Sequence, residues 1–340
     1  MKKNSKEFLT NYNNCIFCNS KKKKKKKERK LRNNFYLEAI RNDLNLNKKF
    51  MSQMKLYECQ NCGTVQNNPW FKKEISHKIY SNIYGQHNRS WSNIINFFRK
   101  SVFPEHGNLF SILKKNIRIK NYAEFNGAFM GLFLNFFDQE YKTTRRNKFS
   151  FFTKCLEYLS SRQLAGKSKY FLKKDKTKSV KLNKEIRLLS KFFIKNKINK
   201  KLFTDNSSLG WSQNDNYKSV NSKSLLSELM DIDIINFNSY KKKLNFDLFG
   251  IFHTLDHTFE PKKIFNFAIR NSKYTIVYCH IDENLEKQHL FTLTKNFLKY
   301  LKKRKIYYID LTEKIKKNYK TKELYFICST NKKLINKFKI

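Results

Sequence analysis

Two cysteine pairs, Cys15-Ile16-Phe17-Cys18 and Cys59-Gln60-Asn61-Cys62, carry the most specific chemistry in the chain. Each C-x-x-C places two thiols on one side of a tight turn, and two such knuckles close the four-sulfur tetrahedral shell that suits zinc. Gly63 follows the second pair and suits the left-handed backbone such a turn often needs. One structural zinc held by Cys15, Cys18, Cys59 and Cys62 is the expectation; the alternative is two unrelated pairs of buried thiols. The other cysteines, Cys155, Cys279 and Cys328, lie far apart in apolar surroundings and read as core thiols of a reducing compartment.

A second chemistry-bearing stretch runs from Phe246 to Pro261. Its first half, Phe246-Asp247-Leu248-Phe249-Gly250-Ile251-Phe252, is nearly all apolar, as a strand buried on both faces requires. The chain then opens into the polar segment His253-Thr254-Leu255-Asp256-His257-Thr258, and Glu260-Pro261 suits a helix start. Ligands of open α/β sheets bind just outside such strand ends, although a buried strand with a capping loop would read the same way.

Positioning these residues needs a sheet, and the pattern supplies one. Strands are expected at 122–125, 202–204, 232–237, 246–252, 274–280, 306–309 and 324–328, with helices at 129–137, 222–230, 261–269 and 286–303 between them. Such alternation argues for a parallel sheet covered by helices. Before it, residues 1–70 form the cysteine module, with 55–58 leading as a strand into the second knuckle and 64–66 leaving it; Pro69 and Trp70 end it. Residues 71–120 read as a helical connector, with an apolar stripe over 75–98. The domain expected over 121–340 carries a Lys- and Arg-rich helical insertion at about 141–200.

The formal net charge is +45 in 340 residues. Lysines accompany Asn, Ile, Phe and Tyr along the whole length, so the charge reads mainly as composition with solvated side chains, and any nucleic-acid binding as non-specific. Lys21 to Lys27, directly after the first knuckle, is expected to be an exposed loop. No secretory leader is expected, since the lysines of residues 1–10 precede no apolar stretch, and Ala128 to Phe137 is too short to span a bilayer. A cytoplasmic protein without a membrane span is the expectation.

The Phe246–Pro261 stretch resembles the fourth strand and following loop of class I S-adenosylmethionine-dependent methyltransferases. Gln288-His289-Leu290-Phe291-Thr292 with Phe297-Leu298-Lys299-Tyr300-Leu301 looks like a later segment of that family and its helix, for which Thr294 is a natural N-cap. The paired cysteines, with Cys62-Gly63-Thr64-Val65-Gln66, Tyr80 and Tyr84, are similar to the zinc module of its sugar C-methyltransferases. The resemblance implies an α/β, class I methyltransferase-like (Rossmann-like) seven-stranded sheet with helices on both faces and an antiparallel last strand, preceded by the zinc module.

It also implies S-adenosylmethionine as methyl donor, an unknown small-molecule acceptor such as a sugar, and His289 as general base. Of the family's Tyr-His-Glu-His-Leu segment, only His289 and Leu290 are kept in 286–290. Cofactor contacts would fall on Glu124, Asn126, Gly127 and Gly131 of the first loop, Asp205 for the ribose hydroxyls, and His253 and Asp256, with Asp231 and Asp233 near the adenine. Asn126, Ala128 and Met130 stand at the three glycine positions of the family's loop, while Gly127 and Gly131 are displaced from them. Two other readings stay open: a zinc-dependent nucleic-acid-binding protein, including an RNA methyltransferase, and a non-catalytic methyltransferase-like protein.

Overall fold

A computed structural model describes residues 7–26, 45, 54–75, 104–125, 131–132, 136, 198–204, 232–240, 243–252, 254–280, 289–316 and 323–339. Its centre is a seven-stranded sheet. The strands are β6 (Asn121–Phe125), β7 (Asn199–Thr204), β8 (Ile232–Asn236), β9 (Phe246–Phe252), β10 (Ser272–His280), β12 (Tyr307–Asp310) and β13 (Glu323–Ser329). Their order is β8-β7-β6-β9-β10-β13-β12. The five strands from β8 to β10 run parallel, and β13 is antiparallel to both β10 and β12.

All seven strands coincide closely with the sequence expectation, because buried parallel strands are written as apolar runs. Every residue of β9 is buried. Asp247 is tolerated there because its carboxylate accepts the backbone N–H groups of Lys120 (2.8 Å) and Asn121 (3.0 Å) and a bond from Lys273 Nζ (2.8 Å). It thereby ties the starts of β6, β9 and β10 together.

Side chains alternate between the two faces, and each face carries its own core. On one side Phe125, Phe203, Phe249, Ile251, Val277 and Phe326 pack with α2 (Pro261–Asn271) and α3 (Lys295–Lys303). On the other, Tyr122, Leu248, Ile276 and Ile327 pack with α1 (Pro104–Asn116), α4 (Thr312–Lys316) and α5 (Lys332–Asn336). Helix α2 starts on Pro261 and buries Ile264, Phe265, Ala268 and Ile269, a 3.6-residue stripe. Helix α3 is capped by Thr294, whose hydroxyl accepts the Asn296 N–H at 3.2 Å.

The helix expected over 286–303 begins only at Lys295. Phe291–Thr292 instead form a short strand, β11, paired antiparallel with Val65–Gln66 of the N-terminal region. That region holds β1 (Leu9–Thr10), β2 (Lys23–Lys25), β3 (Lys55–Cys59), β4 (Val65–Asn68) and β5 (Trp70–Phe71). A four-stranded sheet runs β11-β4-β3-β2, and β1 pairs with β5. Pro69 and Trp70 therefore do not end the module: Trp70 and Phe71 cross to pair with Thr10 and Leu9. The loop expected at Lys21 to Lys27 contains the edge strand β2, where long lysine stems flank an antiparallel pairing.

The module is built onto the large sheet. Cys15, Phe17, Cys59 and Cys62 belong to the same buried cluster as α2 and α3. Among the described residues no helix is long and apolar enough to cross a membrane. Of the helix expected over 129–137 only Gly131, Leu132 and Phe136 are described, with Phe136 N–H donating to the Leu132 carbonyl at 3.0 Å. The helix expected over 222–230, the stripe over 75–98 beyond Ile75, and nearly all of the 141–200 insertion lie outside the described residues.

Candidate functional site

The four cysteines converge. Cys15 Sγ lies 3.5 Å from Cys62 Sγ, Cys18 Sγ lies 3.5 Å from Cys59 Sγ, and all four sulfurs fall within 4.8 Å of one another. A tetrahedral ion with metal–sulfur bonds of about 2.3 Å needs sulfurs about 3.8 Å apart, so the cluster fits a metal such as zinc.

Local backbone explains the convergence. Each knuckle carries one left-handed residue directly after its second cysteine, Asn19 at φ 61° and Gly63 at φ 71°. The turns close through Asn19 N–H to Cys15 O and Gly63 N–H to Cys59 O, both 2.8 Å. The crowded thiols divide: hydrogen bonding from Cys15 pulls Cys18 and Cys59 down, Cys59 to about 6, while Cys18 and Cys59 push Cys15 up and Cys15 pushes Cys62 up.

The second constellation lies where β9 and β10 end. Asp256 and His257 sit in a 3-10 turn, Leu255–His257, after β9; His280 ends β10; His289 precedes β11. Ligand-capable atoms of these four residues all lie within 4.8 Å of one another. His280 Nδ1 is 2.7 Å from Asp256 Oδ2, and His257 Nε2 is 3.8 Å from Asp256 Oδ1. The His289 ring stands 4.4 Å from that of His257 and 4.5 Å from that of His280, centroid to centroid.

Burial sets the charges. Asp256 is 0 % exposed, His289 3 % and His257 6 %. Burial alone would raise the Asp256 carboxyl, but His257, His280 and His289 outweigh it and hold it well below the usual carboxylate range. Burial pushes His257 down to about 4 against the pull of Asp256, and drives His289 well below the ordinary imidazole value, helped by His257. The core thus sets a carboxylate held toward its ionised form beside two imidazoles, His257 and His289, that burial biases toward the neutral form, with His280 Nδ1 at hydrogen-bond distance from that carboxylate.

The N-terminal module holds this cluster in place. Asn67 Nδ2 donates to the His289 carbonyl at 2.8 Å, and Asn67 N–H to the Leu290 carbonyl at 3.0 Å. The Thr292 hydroxyl donates to the His280 carbonyl. His280 Nε2 also lies 3.7 Å from Glu323 Oε1 on the neighbouring strand.

Across the sheet edge, the loop after β6 is braced from below. Fully buried Glu124 accepts the Tyr122 hydroxyl and, at 2.5 Å, the Leu132 N–H. Gly131 lies against that carboxylate so closely that a Cβ would overlap it. His106 of α1 packs on Phe252 (5.2 Å) and Tyr278 (5.1 Å) and hydrogen-bonds the Gly131 backbone; burial drives its imidazole down to about 3, against that bond. The Thr254 hydroxyl donates to the Phe125 carbonyl at 3.2 Å, joining the loops after β6 and β9.

Of the residues expected to form the site, the structure gathers Asp256 and His289 in one cluster, and places Glu124 on β6 and Gly131 against its carboxylate. Asp233 is exposed on β8 and ion-paired with Lys201 at 2.6 Å. Asn126, Gly127, Asp205, Asp231 and His253 lie outside the described residues. Sequence reasoning missed His280 and His106 and gave His257 no role. A histidine closing a predicted strand was the available signal for His280; nothing local marks His106. Compared with protein-family models and with curated proteins, the chain matches none, so a functional reading rests on this geometry.

Proposed function

We propose that the protein is an S-adenosylmethionine-dependent methyltransferase with a Rossmann-like sheet, built around a structural zinc held by Cys15, Cys18, Cys59 and Cys62. The observation that carries the reading is the strand order. The chain passes from β6 outward to β7 and β8, then returns to β9 on the other side, which opens a crevice at the carboxyl ends of β6 and β9. The antiparallel β13 between β10 and β12 agrees with the last strand that the sequence resemblance implies.

The bound cofactor would supply an electrophilic methyl group on its sulfonium. The loop after β6, braced from below by Glu124 against Gly131, would form its side of the crevice, and the sequence resemblance assigns the ribose hydroxyls to Asp205. Asp256, His257, His280 and His289 form the acceptor's side. His289 would take the proton that the acceptor atom loses as it accepts the methyl group. Burial keeps that imidazole neutral with its lone pair available but weakens it as a base, and the Asp256 carboxylate works in the opposite direction by favouring the protonated form. Catalysis comes chiefly from holding donor and acceptor in line.

Calorimetric titration of the full chain with S-adenosylmethionine and S-adenosylhomocysteine tests the reading. Both should bind, and Asp205→Ala should weaken binding roughly ten- to a hundredfold through loss of ribose contacts. A folded protein that binds neither ligand rejects the enzyme.

A further inference from the structure

We propose that Asp256, His257, His280 and His289 bind one divalent first-row transition ion, separate from the ion assigned to the four cysteines. The ligand set favours such an ion. Three imidazoles and one carboxylate suit zinc, cobalt or iron, whereas magnesium and calcium take oxygen donors. The geometry is close to what the ion needs: the ligand atoms already lie within 4.8 Å of one another. Bonds of about 2.0–2.1 Å in a tetrahedron separate ligand atoms by about 3.3 Å, so each group moves inward by about 1 Å or less.

A second, independent observation points to a ligand. Asp256 Oδ1 is buried and, among the described residues, has no hydrogen-bond donor; His257 Nε2 stands 3.8 Å from it, beyond hydrogen-bond distance. A buried carboxylate oxygen in that state is costly, and an ion at the centre of the cluster satisfies it. The bond between His280 Nδ1 and Asp256 Oδ2 shows where the ion enters, since a metal replaces the shared proton there.

The supports behind the ligands are those of a built site. The ligands come from three places in the chain, and the main chain of two of them is anchored by the N-terminal sheet and β11, through Asn67 to His289 and Thr292 to His280. His280 is the partly exposed member, with its side chain 29 % accessible, so it faces the side from which an ion or an acceptor oxygen arrives. This inference stands independently of the methyltransferase reading, which uses the ion-free cluster. An ion here engages the His289 lone pair, so His289 is the free base of that reading only in the ion-free protein.

The test measures metal content and zinc affinity on the full chain after equilibration with Zn²⁺ and removal of excess. Wild type should hold about two ions, Cys59→Ser about one, and His280→Ala about one, with affinity for the second ion falling roughly 100-fold or more. Cobalt distinguishes the sites, because Co²⁺ in the cysteine cluster gives intense thiolate charge-transfer absorption and Co²⁺ in the histidine cluster gives only weak ligand-field bands. His280→Ala should lose the second set and keep the first. Should His280→Ala unfold, His280→Gln at the same partly exposed position serves instead. One ion in wild type, or a folded His280 variant that retains both, overturns the proposal. Titration with S-adenosylmethionine on the same preparation separates the two ideas: two ions without cofactor binding sinks the methyltransferase and leaves the metal site, and cofactor binding with one ion does the reverse.

Discussion

Phe17 sits between Cys15 and Cys18 of the cysteine cluster, yet its ring belongs to the core of the large sheet, and its removal should destabilise the whole protein. The side chain is 2 % exposed and meets Phe297 at 4.7 Å and 85°, Phe265 at 5.7 Å and 64°, and Tyr300 at 6.4 Å and 89°. Truncating a buried Phe to Ala costs about 3–5 kcal/mol, including the cavity it leaves. Edge-to-face pairing contributes about 0.5–1.5 kcal/mol of that per pair. Against a total stability of about 5–15 kcal/mol, the loss is large. With a urea m-value near the upper end for small proteins, about 3 kcal/mol/M, the midpoint should fall by about 1–1.7 M. The assay is urea unfolding of Phe17→Ala followed by far-ultraviolet circular dichroism, with zinc release recorded in parallel. A double-mutant cycle with Phe297→Ala should return a coupling of about 0.5–1.5 kcal/mol. A midpoint within about 0.3 M of wild type would falsify the shared core, as would unfolding of the module that leaves the sheet transition in place.

Gly63→Ala should cost about 1–3 kcal/mol, because φ is 71° and the new Cβ would overlap Asn296 Cβ, beside the bond from the Thr294 hydroxyl to the Gly63 carbonyl (2.7 Å). Thermal unfolding of the variant measures this, and an unchanged midpoint refutes it. Burial works against ionisation of Asp247, but Lys273 and the N–H groups of Asn121 and Lys120 outweigh it and lower the carboxyl below its ordinary value. A lowered folded value means the contribution is fully present above the unfolded carboxyl range, about pH 4, and is lost as pH falls through the folded value. Asp247→Asn should therefore be less stable by about 1.5–3 kcal/mol at pH 7, with the gap closing below about pH 4. Urea unfolding at several pH values checks it, and a gap constant with pH would count against the argument.

Much of this protein is written locally. The strands β9, β10 and β13 announce themselves as apolar runs, Thr294 as a cap, and Pro261 as a helix start, because each depends on neighbours within a few residues. The cysteine pairs are legible for the same reason: a knuckle is closed by its own backbone, at Asn19 and Gly63. The limits are equally physical. Residues 291–292 looked like helix because nothing adjacent reveals that Val65 and Gln66, more than two hundred positions earlier, offer an unpaired strand edge. Phe17 reads as part of an isolated cysteine turn until α2 and α3 close over its ring. His257, His280 and His289 are single histidines in unrelated segments. Only the parallel pairing of β9 with β10, and the N-terminal sheet that holds His289 against their ends, brings three imidazoles onto Asp256. Local chemistry could be read from the residues, but a site assembled from distant strand ends exists only once the strand order is set.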